Sequence, residues 1–335
     1  MIQLLTYKQI NKQQWRELIQ SSPVATWFQT PEAYQFYASV CGMQAFAYGV
    51  SEEGKLTGVV VGYVTKNSNS ILQYFTKRAI IYGGPLLHPE ISDFALSALL
   101  KTVAKNIDLN PIYIETRNFN DYSQWKEIFD INGFEYKKHL NYHVDTTCLD
   151  LAQSRIGKHR WKYIRLSMRD GASIVENPSI EQVRVFYDIL VDLYTTKVKT
   201  PLWSWEFFEQ LYRVEHVKYI LVELDGQIVG GTACVCLPGK AVYEWYACGL
   251  DNCRDDIRPL SVAIWGEMQY AAENGYPLFD FMGAGKPDEP YGVRDFKAEF
   301  GGELVEHGRF LCKRKPLLYK IGKLVVKFLK RNIRN

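Results

Sequence analysis

The stretch from Tyr276 to Phe310, YPLFDFMGAGKPDEPYGVRDFKAEFGGELVEHGRF, decides how the chain is read. Leu278–Met282 is apolar and aromatic with Asp280 as its only charge, which suits a strand buried on both faces. Gly283, Ala284 and Gly285 then let the backbone pass close to a bound group, and Lys286-Pro287-Asp288 marks a loop. Phe296 and Phe300 stand four apart, which predicts a helix over 294–300 with Lys297 turned away from their face. Gly301-Gly302 ends that helix as a C-cap pair. The pattern sets one lysine beside the end of a buried strand and above a glycine turn, a place suited to acyl chemistry.

Outward from this stretch the same order of elements occurs twice. In the first half, helices are expected at Asn11–Ile19 and from Pro31, and strands at Phe46–Val50, Leu56–Val64, Ile71–Phe75 and from Ile80 to the Gly83-Gly84 turn. A helix over Ile91–Asn106, a strand at Ile112–Glu115, a helix over Tyr122–Ile131 and a strand pair from Phe134 to Val144 complete it. In the second half, Asp225-Gly226-Gln227-Ile228-Val229-Gly230 matches the turn and strand at Gly54–Gly58. Val242–Gly249 matches the strand ending at Gly83, Arg258–Asn274 matches the long helix, and PLFDFMG matches PIYIETR. A repeat this long indicates a duplicated domain rather than a solenoid. The boundaries read from the pattern are 1–150, 151–312 and a tail, 313–335. Between the halves, Ser154–Gly171 reads as one basic helix, followed by a helix over Ile180–Thr195 and an aromatic loop at Pro201–Trp205.

At 335 residues, 47% hydrophobic and 14% aromatic, the chain suits two domains with large cores. No stretch reaches membrane-span length, and the opening MIQLLTYKQINKQQW has no basic region followed by an apolar run, so a cytoplasmic protein is expected. The seven cysteines lack framework spacing and read as reduced thiols. His88, His139, His143, His159, His216 and His307 show no metal spacing, so no metal is expected. The net charge of +3 is uneven: nine Lys/Arg and no acid lie between Lys313 and Asn335, which leaves the rest at 31 basic against 37 acidic residues, or −6. A DNA binder spreads basic charge over its folded body, so DNA is not an expected partner.

The Phe279-Asp280-Phe281-x-Gly283 strand end, then Tyr291 and Phe296-Lys297-x-x-Phe300-Gly301-Gly302, resembles the FemABX family of peptidyltransferases and its acyltransferase-like relatives. That resemblance implies an α/β fold of two tandem GNAT-like (acyl-CoA N-acyltransferase) domains, mixed sheets flanked by helices. It implies transfer of an acyl or aminoacyl group to an amine on a cell-envelope precursor, by direct attack without a covalent enzyme intermediate. The donor is expected to be an aminoacyl-tRNA or an acyl-CoA, with no permanently bound cofactor. The acceptor is expected to be a phosphate-bearing, sugar- or lipid-linked molecule. A CoA-dependent N-acyltransferase of capsule or lipopolysaccharide sugars, and an idle membrane-associated binding protein, are the alternatives.

Taken alone, Lys297 is a lysine on an amphipathic helix, and most such lysines are solvated. The resemblance makes it the cation that steadies the oxyanion. Asp280 has two readings that stay open: a general base whose pKa desolvation raises, or a residue that holds a loop or Lys297 in place. Gly283, Gly285 and Tyr291 belong to the same substrate-binding stretch. Lys158, Arg160 and Arg165 lie in a basic run with interleaved aromatics, which is either a solvated face or a grip on acceptor phosphate. The loop Cys253–Leu260 lacks the glycines that cradle the pyrophosphate of coenzyme A and carries Asp255 and Asp256, a departure that puts acetyl-CoA in question. Trp245 and Arg258 are candidates for the cleft wall. In the tail, Leu317, Ile321, Leu324, Val325 and Phe328 share one helical face, opposite a basic one. Such a helix either docks on the body or lies on the anionic inner face of the membrane.

Overall fold

The computed structural model of the chain describes residues 1–65, 77–250 and 253–332, with side chains described up to Leu324. The strand expected at Ile71–Phe75 and the tail side chains from Val325 onward lie outside the described residues. Mixed α/β structure fills two compact units, one of residues 1–138 with 307–335 and the other of residues 139–306.

In unit 1, α1 (Lys12–Ser21) and α2 (Pro31–Ser39) precede the hairpin of β2 (Met43–Glu52) and β3 (Lys55–Thr65). Thr30 caps α2, its Oγ1 accepting from the Ala33 amide at 3.1 Å, with Pro31 at the first position, where no hydrogen bond is lost. The sheet runs β1 (Ile2–Thr6), β2, β3, β4 (Arg78–Tyr82), β6 (Tyr113–Arg117), β15 (Arg309–Lys313), β7 (Phe134–Lys137), with β5 (Leu86–Leu87) on β3. Its core face packs Ile81, Ile114 and Phe310 under α3 (Asp93–Asn106) and α4 (Lys126–Ile131), where Leu96, Leu99, Leu100 and Phe129 are buried.

Unit 2 has the sheet order β14 (Glu303–Glu306), β8 (Leu140–Asp145), β13 (Leu278–Asp280), β12 (Ala241–Gly249), β11 (Gln227–Leu237), β10 (Val217–Leu224), β9 (Ser173–Val175). Its helices are α5 (Leu149–Arg155), α6 (Lys158–Arg169), α7 (Ile180–Leu193), α8 (Trp205–Tyr212), α9 (Pro259–Glu273) and α10 (Gly292–Ala298). The apolar helix α9 supplies Ile264, Trp265, Met268 and Ala271 to a core that includes Phe279, Phe281 and Phe300.

The two sheets repeat one plan, and each takes one strand from the other half of the sequence. In unit 1, β15 sits between β6 and β7; in unit 2, β8 sits between β13 and β14. The Phe134–Val144 stretch is therefore not a strand pair. Phe134–Lys137 pairs in one sheet and Leu140–Asp145 in the other, because the chain crosses after Lys138. The units consequently divide at 138/139 and 306/307 where the sequence pattern suggests 150/151 and 312/313. Hydrogen bonding of β8 and β15, invisible in the local pattern, sets the boundary. The basic helix over Ser154–Gly171 is two helices, α5 and α6, interrupted at Ile156-Gly157, where the Gly157 amide donates to the Glu299 carbonyl at 2.8 Å.

A fragment of residues 139–306 retains all seven strands of its sheet, whereas 151–312 loses β8 and exposes β13. The longer-starting fragment is expected to unfold cooperatively on heating, followed by circular dichroism. The 151–312 fragment is expected to aggregate or melt without a transition.

Candidate functional site

The site lies where two neighbouring parallel strands of unit 2 part. β12 and β13 pair at Ala241–Leu278, Val242–Phe279 and Tyr243–Asp280; β13 then ends while β12 continues to Gly249. A bulge accompanies the parting: Ala233 faces Tyr246 and Cys234 faces Glu244, leaving Trp245 as the extra residue. Such a bulge bends its strand and re-aims the side chains beside it.

Lys297 fills this divergence. Its Nζ donates to the Phe281 carbonyl at 2.7 Å and the Gly283 carbonyl at 3.1 Å, and pairs with Glu244 Oε1 at 3.3 Å. Glu244 and Phe281 are the first residues past the last paired position of each strand, so the ammonium bridges the opening. Its side chain is 12% exposed and the nitrogen lies 5.1 Å from the Phe281 ring centroid. The helix spans Gly292–Ala298, slightly ahead of the expected bounds. Lys297 leaves the face of Phe296 and Phe300, as the spacing predicts, yet it points into the protein rather than into water.

Behind the lysine stand two carboxyls that the sequence reading passed over. Burial pushes Glu244 above its ordinary range; Lys297 pulls it back, and Asp280 adds to the rise. Glu267, fully buried on α9, is driven well above the carboxylate range by burial first and then by Glu244. The Cys234 and Thr232 side chains beside it pull it back only in part. The signal was present in the sequence: Glu244 is the lone acid of an apolar strand, as Asp280 is, and Glu267 interrupts an apolar run of α9.

Asp280 has no exposed surface. Its Oδ1 accepts from Asn141 Nδ2 at 2.7 Å and from the Met282 amide at 2.6 Å, and its Oδ2 lies 3.0 Å from His143 Nε2. Asn141 and His143 alternate on β8, so both reach the same side, and Asn141 Oδ1 also accepts from the Gly283 amide at 2.7 Å. For His143, burial works downward and the Asp280 carboxylate more than offsets it, so the imidazole pKa is raised. The loop after Asp280 is fixed by these bonds and by Arg294, whose Nε donates to the Ala284 carbonyl at 2.8 Å. Gly285, at φ +79°, lies against the Tyr291 ring, which a Cβ would approach to 2.8 Å. Tyr291 itself is exposed.

The other sequence candidates fall elsewhere in the unit. Arg160 is committed: it holds Glu299 at 3.2 Å and Ser261 Oγ at 2.7 Å, and lies 4.4 Å from the Phe296 ring centroid. Lys158 and Arg165 are exposed on α6. Arg258 donates to the carbonyls of Asp255 and Ile257 and lies over the Tyr163 ring of α6, and Arg254 pairs with Asp256 at 2.8 Å and donates to the Asp170 carbonyl, so the cations of the loop before α9 are taken up by the loop and by α6 with its end. Trp245 packs on Phe207 at 5.3 Å in the aromatic group beside the bulge. Among the described residues no cluster of metal-ligating side chains forms.

Comparison with known proteins bears on this geometry. Residues 158–297 match the family described as Acetyltransferase (GNAT) domain, a span that ends on Lys297. The fold is similar to that of FemX, with TM-score 0.72 and 15% identity over 95% of this chain and 99% of that one. It is also similar to the C-terminal domain of a putative lysylphosphatidylglycerol synthetase from Agrobacterium fabrum, with TM-score 0.60 and 13% identity over 94% and 96% of the two chains. A tandem GNAT protein from the clavulanic acid biosynthesis pathway gives TM-score 0.55 and 11% identity over 94% and 99%. No curated protein matches the chain in sequence. The chain thus has the FemAB-like tandem GNAT fold, and residues 158–297 of its second unit are the part similar to the GNAT domain family.

Replacing Asp280 by Asn removes the charge that holds His143 protonated. A raised imidazole pKa contributes stability in full below its unfolded value of 6.5, and that stability is lost as pH rises through the folded value. Asp280→Asn is expected to cost about 3 kcal/mol below pH 6.5. It is expected to flatten this part of the pH dependence in denaturant titrations and to lower the His143 pKa measured by NMR.

Proposed function

We propose that this chain transfers an acyl or aminoacyl group to an amine of a cell-envelope precursor, with the parting of β12 and β13 as its reaction centre. The observation that carries this reading is Lys297 bridging the two strands at that parting. The amine nitrogen attacks the donor carbonyl carbon, the oxyanion forms, and the bond to the leaving thiol or hydroxyl breaks while the amine proton departs with it. Lys297 has three N–H donors, given to two carbonyls and Glu244. The oxyanion takes the donor released from the Gly283 carbonyl or from Glu244. Burial biases Glu244 toward its neutral form, which leaves the ammonium charge for the oxyanion. Asp280, saturated with donors and without exposed surface, acts as a positioning residue for the loop under the reacting carbonyl.

An acyl-CoA donor is supported by the GNAT domain match. The loop before α9, its cations already taken up and with no glycines among its described residues, favours an aminoacyl-tRNA instead. Parallel calorimetric titration with acetyl-CoA and with charged against uncharged tRNA separates them. Lys297→Met is expected to lower kcat of amide formation by about 10²–10³-fold with donor affinity little changed, which single-turnover assays check.

The tail supports a peripheral place at an anionic membrane. Helix α11 (Pro316–Asn332) is anchored at its start, where the Lys315 amide donates to the Ile112 carbonyl at 3.0 Å and Tyr319 packs edge-on against Tyr113 at 5.2 Å. Past that anchor Leu317, Ile321 and Leu324 are 76%, 45% and 68% exposed on one face, and every charge from Lys313 onward is positive. Among the described residues no helix is long and apolar enough to cross a membrane. Sedimentation with phosphatidylglycerol vesicles is expected to capture the protein, with capture weakened by salt and lost when residues 316–335 are removed. Equal capture by phosphatidylcholine vesicles, or capture that survives the deletion, contradicts it.

A further inference from the structure

Unit 1 holds a cluster that the transfer step does not use. On β6, Tyr113, Glu115 and Arg117 share one face by strand alternation. Register places Arg78 of β4 opposite Tyr113 and Tyr82 opposite Arg117, and places Leu311 of β15 opposite Glu115. Arg78, Glu115, Arg117 and, two residues from Leu311, Arg309 therefore project from the same side, opposite the face whose Ala79, Ile81, Ile114 and Phe310 enter the core.

Two guanidinium groups meet one carboxylate there, with the Arg78 guanidinium close enough to act on that carboxylate by its charge. Arg117 Nε and Arg309 Nη1 both donate to Glu115 Oε1, at 2.9 and 3.1 Å, and Arg117 Nη1 donates to the Tyr82 hydroxyl at 2.7 Å. The side chains of Arg117, Glu115 and Arg309 are 23%, 18% and 26% exposed, so they are mostly desolvated yet open to solvent on one side. Arg78, beside them, is exposed. Three positive charges against one negative leave an excess of two, and guanidinium does not lose its proton to relieve it. Arg309 is pushed below its ordinary value by burial first and by Arg117 next, while for Arg78 and Arg117 the effect of burial is more than offset by Tyr113 and by Tyr82 with Glu115. A structural ion triad needs no third arginine; an oxyanion with several acceptor atoms uses all three forks.

We infer that Arg78, Arg117 and Arg309 of unit 1 form a binding site for a phosphate or pyrophosphate group. The inference goes beyond the reading above, which assigns no phosphate to the acceptor. Its test reads binding without transfer. Absence of amide formation with pyrophosphate binding intact removes the transfer reading alone, and the converse result removes this one.

The experiment is calorimetric titration of the full chain with inorganic pyrophosphate at low salt. Saturable binding is expected, weakened at least tenfold by Arg78→Gln and by Arg309→Gln and unchanged by Lys101→Gln on the exposed face of α3. Glu115→Gln is the sharper variant. It removes the competing carboxylate and is expected to tighten binding, whereas in a purely structural triad it only destabilises the fold. Competition by uridine diphosphate assigns a soluble nucleotide-linked source, and competition by farnesyl pyrophosphate in detergent assigns a lipid-linked one. Non-saturable binding, displacement by neither competitor, loss of binding in Lys101→Gln, or an unchanged affinity in Arg78→Gln overturns the inference. Arg78 is exposed, so that variant decides the matter even where Arg309→Gln does not fold.

Discussion

A carboxylate with no exposed surface must find its donors inside the protein, and Asp280 finds them on β8 and in the loop that follows it. Without them β13 would end in an unpaired charge. With them the strand end, β8 and the turn at Met282–Gly283 become one hydrogen-bonded unit. The Phe281 and Gly283 carbonyls are aimed by that unit, and they are the oxygens to which Lys297 donates. The ammonium in turn tempers the Glu244 carboxyl across the opening. His143 is thus raised by Asp280 against the effect of burial, Glu244 by burial with Asp280 adding and Lys297 opposing, and Glu267 by burial and then by Glu244.

The duplicated halves differ at the matching place. In unit 1, β4 and β6 stay paired over five positions, and the Gly83 amide continues the seam by donating to the Arg117 carbonyl at 2.8 Å. In unit 2 the equivalent pair separates after three positions and a lysine occupies the gap. One copy is zipped shut and carries arginines on its outer face; the other is parted and carries the buried cation. A duplicated domain frees one copy from the original task, and here the divergence is visible in strand pairing rather than in overall plan.

Much of this was legible in the chain. Most of the order of elements, a strand up to Asp280, the Gly301 helix stop and the repeated plan of the two halves follow from local periodicity and glycine placement, and the described residues have them. What local pattern does not carry is pairing at long range. The Phe134–Val144 stretch looks like a hairpin because its two apolar runs are close, yet one run finds its partners at Arg309–Lys313 and the other at Leu278–Asp280. The basic run of α6 likewise reads as a ligand grip, while tertiary contacts commit Arg160 to Glu299, Ser261 and Phe296. Glu244 and Glu267 were missed although they break apolar runs as plainly as Asp280 does.

The exchange of strands between the halves also imposes an order on synthesis. The β6 edge of unit 1 has its neighbour, β15, only when the ribosome has added almost two hundred further residues. At typical elongation rates that interval is about 10–40 s. For that time the first half of the nascent chain carries a buried-type strand with one row of backbone groups unmatched. Unit 2 closes sooner, because β8 precedes the rest of its sheet. The half translated first is therefore the half completed last, and the newborn protein depends on its own end to seal its beginning.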